Sequence, residues 1–147
     1  VNKEFIPYKI ALALKELGFD RNCFAIWSGF DEKNFSTTDT IRLYSSGFKI
    51  NDTQSSTFYV NDFNSRRVSA PTYSQAFRWF REKYSIYSNI NYDWNDEVFR
   101  GIIMQQNKDK SCKIIHLKKG DYIKEFKIYE EVELECLKKL IEIVKNK

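Results

Sequence analysis

The chain has 147 residues, 42% hydrophobic and 30% charged. That composition is globular rather than that of a disordered chain, and it leaves enough apolar side chain for a core without disulfides or a structural metal. The net charge of +4 divides into nine basic and eight acidic residues up to Thr72 and fifteen against twelve beyond it, so neither half is a basic nucleic-acid arm.

Residues 6–17 are expected to form the first helix, with Ile10, Ala13, Leu14 and Leu17 on one side. Gly18 stands where a left-handed cap is wanted, and Phe19 can fold back on the last turn. Residues 23–27 read as a strand closed by Ser28-Gly29, and residues 31–39 as a polar loop. Residues 40–44 and 48–50 flank Ser45-Ser46-Gly47 as a short hairpin, and residues 57–60 are a further apolar run. Residues 61–69, with the pair Arg66-Arg67, read as a polar connection.

A helix is then expected over residues 72–84. Pro71 holds the entering chain extended, Thr72 caps the first turn, and Gln75 completes a capping box. Tyr73, Phe77, Phe80 and Tyr84 recur at helical spacing, Ala76 and Trp79 widen the stripe, and Arg78 and Arg81 share the opposite face. Residues 86–92, 98–106, 112–117 and 122–128 follow as strands of a meander, with turns at 107–110 and 119–121. The last helix, over residues 130–145, opens on Glu130, Glu131, Glu133 and Glu135 and closes on Lys138, Lys139 and Lys145, an order that complements the helix dipole. Leu134, Leu137, Ile141 and Val144, with Cys136 and Leu140, form its apolar face. The order α-β-β-β-α-β-β-β-β-α predicts one α+β domain over residues 1–147, an antiparallel meander with helices packed on one face.

Three segments carry a resemblance: the run from Pro7 through Leu14 and Gly18 to Asp20, the run from Ala70 to Tyr84, and the tail from Glu130 to Glu142. Together they resemble a family of short proteins carried by phages and mobile elements of Bacteroides-type gut bacteria. The resemblance covers about a third of the chain. It implies expression in a bacterial host and supplies no catalytic residue. No apolar run is long enough to span a membrane, and the first residues lack a secretory pattern, so the expected location is the host cytoplasm.

Cys23, Cys112 and Cys136 are odd in number and form no Cys-x-x-Cys pair, and His116 is the one histidine. No metal or other cofactor is expected from that set; free, mostly buried thiols are. Cys112 and His116 lie four apart on one strand, about 13 Å at the usual rise, too far for a nucleophile and its base. Asp93, Asp96 and Glu97 read either as a metal-binding cluster or as a wet loop. With no second cluster to help them, no catalytic site is expected.

Two binding readings remain. The order of elements over residues 72–147 resembles a double-stranded RNA-binding domain, and Arg66, Arg67, Arg78 and Arg81 are the candidate binding residues, with the meander lysines beside them. That family holds phosphates with lysines at the start of its last helix, where this chain has glutamates. The reading placed first is therefore a non-catalytic protein that binds and modulates a host or phage protein. Its candidate anchors are drawn from an aromatic content of 16%, namely Trp27, Phe30, Phe35, Tyr87, Tyr92 and Trp94. A homo-oligomer paired through edge strands is the third alternative.

Overall fold

Pro7 sets the start of the first helix. Its backbone is extended (φ −59°, ψ 148°), and its carbonyl accepts from the N–H groups of Ile10 and Ala11, both at 2.9 Å. Helix α1 (Tyr8–Glu16) then ends at Gly18, whose φ of 79° lets its N–H reach the carbonyl of Lys15 while the N–H of Phe19 reaches that of Leu14. This pair of bonds is the Schellman closure that the Gly-Phe pair predicts, and Phe19 is buried. The buried line of α1 is Ala11 and Leu14; Ile10, Ala13 and Leu17 are half-buried, a shift from the expected stripe.

The computed structural model describes residues 2–28, 40–43, 68–107 and 109–146, and the chain divides into two compact units, residues 1–72 and 73–147. The expected hairpin around residues 45–47, the run 57–60, the loop 31–39, Phe30, Phe35, Arg66 and Arg67 lie outside the described residues. The first unit holds α1 and an antiparallel sheet of order β2-β1-β3, made of β1 (Ala25–Ser28), β2 (Thr40–Leu43) and β3 (Val68–Ser69). Residues 68 and 69 fall in a stretch expected to be a polar connection; they pair instead with Trp27 and Ile26, and the N–H of Ala70 continues the ladder to the carbonyl of Ala25. Phe5, Ala25 and Ala70 form a buried cluster with Trp27 packed against it, and the ring of Tyr8 meets that of Trp27 edge-on.

The second unit runs α2 (Tyr73–Tyr84), β4 (Ile86–Asp93), β5 (Val98–Gln106), β6 (Cys112–His116), β7 (Lys118–Lys119), β8 (Tyr122–Ile123), α3 (Tyr129–Lys145). Strands β4, β5 and β6 form an antiparallel sheet in that order. Helix α2 packs over β4, and α3 over β5 and β4, so both helices cover one face. The aromatic stripe behaves as its spacing requires: Tyr73, Ala76, Phe77, Trp79 and Phe80 are buried, while Tyr84 is half-buried. On α3 the buried line is Val132, Cys136, Leu137, Leu140 and Ile141, with Leu134 and Val144 at its margins.

Gly101 lets α3 sit down on β5. A Cβ there would lie 2.8 Å from each of Cys136 Sγ, Leu117 Cδ1 and Val132 Cγ2. The third strand departs from the expected meander. After β6 the N–H of Leu117 donates to the carbonyl of Gly101, and the chain then leaves the sheet as the β7–β8 hairpin. It returns at Lys124, whose N–H closes on the carbonyl of Leu117 at 2.8 Å, and Phe126 rejoins β5 by exchanging both bonds with Phe99. The run expected as a strand over residues 122–128 is therefore a two-residue strand followed by that single bridge.

Candidate functional site

Hydrogen-bond register decides what each side of β6 offers. The N–H of Leu117 bonds the carbonyl of Gly101 and, at the other end, that of Asn107 bonds Ser111, so by alternation Ile115–Ile103 and Lys113–Gln105 are the bonded pairs. The N–H and C=O groups of Cys112, Ile114 and His116 consequently point outward, along an edge where no described strand pairs. The pleat sorts the side chains. Lys113 and Ile115 fall on the helix-covered face with Gln105 and Ile103, whereas Ile114 and His116 fall on the open face with Met104 and Ile102. There Tyr87, Met104 and Ile114 form one cross-strand row, and Ile114 is 55% exposed.

On the covered side, β6 and α3 enclose a cleft of about 580 Å³. Glu135, Lys138, Lys139 and Glu142 line it from α3, at a spacing that keeps them on one stripe of the helix. Residues 113–118, Ile114 and His116 of the edge included, and Lys124 line it from the strand and its hairpin. Five lysines thus face two glutamates, and both glutamates are engaged. Glu135 accepts from Lys124 at 2.8 Å and from Lys138 at 2.7 Å, and Glu142 accepts from Lys139 at 2.6 Å. Lys113 and Lys118 have no carboxylate partner among the described residues.

The hydrogen bonds from Lys124 and Lys138 hold the Glu135 carboxyl below the usual glutamate range. A carboxyl depressed in the folded state adds stability above its unfolded pKa and loses it as pH falls through the folded value. Wild type should therefore melt higher than Glu135→Gln at pH 7 by a small margin, under about 1 kcal/mol for pairs this exposed. The margin should close as pH falls below about 4. A margin that is flat from pH 7 to pH 3 in thermal melts would contradict the pairing.

The acidic residues before β5 also find partners. Arg100 bonds Asp93, Asp96 at 2.7 Å and Glu125 at 2.5 Å, which ties the β4–β5 turn to the segment returning from the hairpin. The Asp93 carboxyl also accepts from the N–H groups of Asn95 and Asp96, and these bonds first, then Arg100, hold its pKa below the usual range. Arg100 thus draws Asp93 and Asp96 into a tied turn that neither reading of the cluster included, and no group of three His, Cys, Asp or Glu suited to a metal occurs among the described residues.

Burial pushes the Cys23 and Cys136 thiols up to about 12, which keeps both protonated and unreactive at neutral pH. Cys112 is exposed on the open face, against the expectation of mostly buried thiols in its case. Arg78 and Arg81 are exposed on α2, the helix that packs over β4, and neither lines the lysine cleft between β6 and α3. Among the anchors expected from the sequence, Trp94 is 83% exposed in the β4–β5 turn and stacks edge-on against Tyr92, Trp27 is half-buried, and Tyr87 joins the open-face row. The β6 edge itself was not among the sequence candidates. Its one sequence signal is the density of lysines between positions 108 and 127.

No protein-family model, curated protein or solved structure matches the chain. No helix among the described residues is long and apolar enough to cross a membrane.

Proposed function

We propose that this chain is a non-catalytic protein-binding module of the phage or mobile-element kind, acting in the host cytoplasm by engaging and modulating a host or phage protein. The observation that carries the reading is the outward row of alternating donors and acceptors on β6, with exposed Ile114 on the strand and a cleft that reaches the same edge. A protein main chain satisfies both donors and acceptors at once, which is how extended segments add to sheet edges. The nucleic-acid alternative has its own support in the five cleft lysines and in exposed Arg78 and Arg81, and would extend to Arg66 and Arg67. Phosphate oxygens, however, have no N–H to give the outward carbonyls of the edge.

The test is affinity capture from lysate of a Bacteroides-type host, with and without nuclease, read by mass spectrometry. Ile114→Pro removes an outward N–H without touching the β5 ladder, as proline does at sheet edges. One dominant partner, kept by wild type and by an Arg78→Glu/Arg81→Glu chain but lost with Ile114→Pro, is the expected result. The arginine pair should change stability by no more than about 0.5 kcal/mol. Capture indifferent to Ile114→Pro overturns the role of the edge. Material released by nuclease, and lost in the arginine variant, puts the nucleic-acid reading first.

A further inference from the structure

We infer that the β6 edge takes up an extended acidic segment of a partner protein, in which carboxylates alternate with apolar side chains, as an added strand. The inference rests on the protein-binding reading and gives the partner its chemistry.

Strand geometry supplies the alternation. A chain laid along Cys112, Ile114 and His116 sends successive side chains to opposite faces of the sheet. Those on the covered side enter the cleft beside Lys113 and Lys118, the two lysines with no carboxylate partner among the described residues. Lys124, Lys138 and Lys139 already share Glu135 and Glu142, so the uncompensated charge of the cleft sits on the strand side, within reach of the incoming segment. Carboxylates match it. The alternate side chains emerge on the open face next to exposed Ile114 and its row partner Met104, where apolar groups bury the most surface.

Competing occupants fit less well. Phosphate oxygens accept hydrogen bonds but have no N–H to give the outward carbonyls of Cys112, Ile114 and His116. A second copy paired through the same edge would bring five lysines against five. The other edge strand of the sheet, β4, carries no lysine or arginine of its own.

The test is fluorescence anisotropy on the full chain with a labelled peptide of alternating Glu and Val. The controls are a peptide of the same composition with Glu and Val in blocks, an alternating Lys–Val peptide, and single- and double-stranded RNA. The alternating Glu–Val peptide should bind at least about tenfold more tightly than either peptide control and weaken with salt. Lys113→Glu with Lys118→Glu should reduce binding by about tenfold or more, and Ile114→Pro should remove it. The two lysines are exposed, so their variant keeps the test decisive should the proline variant fail to fold.

Equal affinity for the blocked peptide, tighter binding of RNA, or a concentration-dependent dimer lost on Ile114→Pro would each overturn the assignment. If the peptide fails while lysate capture still depends on Ile114, only the acidic segment is wrong. If both fail, the protein-binding reading falls with it.

Discussion

Phe80→Ala is expected to destabilise the second unit by about 3–5 kcal/mol, the range for truncating a buried aromatic ring. Phe80 is fully buried on α2, with the rings of Trp79 and Tyr84 at centroid distances of 5.0 and 6.0 Å. Trp79 meets Tyr84 as well, at 5.3 Å, so the three rings form one packed cluster at the end of the helix. Truncation leaves a void that the flanking rings cannot close without leaving their rotamers. Phe77→Ala belongs in the same class, at the lower end, because that ring is 9% exposed. A fall in Tm of more than about 10 °C, followed by near-ultraviolet circular dichroism, is the expected readout. A shift of a degree or two would show that the stripe is not the core.

Gly101→Ala is the second large expected effect, and its sign rests on a competition. Replacing a strand glycine by alanine gains up to about 1 kcal/mol of backbone entropy. Against this, the new methyl would stand 2.8 Å from Cys136 Sγ, Leu117 Cδ1 and Val132 Cγ2, the ends of three buried side chains that would all have to shift at once. Overpacking of this kind costs about 1–3 kcal/mol or more, so the clash wins and the variant is destabilised. Cys136→Ala gives the control. Alone it should destabilise, since the thiol is fully buried; placed on Gly101→Ala it should recover part of the loss by vacating one of the three contacts. Additive losses in the double-mutant cycle would refute the close approach of α3 to β5.

These two predictions mark how far the sequence could be read. The α2 stripe was legible because helical periodicity and a run of aromatics point the same way. The Gly18-Phe19 closure and the charge order of α3 were legible for a similar reason, each being written within a few neighbouring residues. Gly101 was not, because a glycine within a strand has no local signature that separates a contact site from a weak point. The strand of Val68 and Ser69 was missed because two residues carry no periodicity, and their pairing is set by β1 more than forty positions earlier. Arg100 resolved the acidic cluster of Asp93 and Asp96 only once pairing brought β5 back along β4. The lysine cleft needed a longer step still, since α3 must lie across the sheet before Lys138 and Lys139 join Lys113 and Lys118.

The excursion between Leu117 and Lys124 bears on how this sheet can vary. The 2.8 Å bond between those two residues pinches the chain, and Phe126 resumes the ladder where Leu117 left it. A loop whose ends are already clamped adds closure entropy only slowly with length, by about 0.6 kcal/mol for each doubling. Residues 119–123, beyond the cleft lysine Lys118, are thus a grafted appendage on a finished strand, a place where length and composition can drift, or a foreign loop be spliced in, at little expense to the strands that carry it.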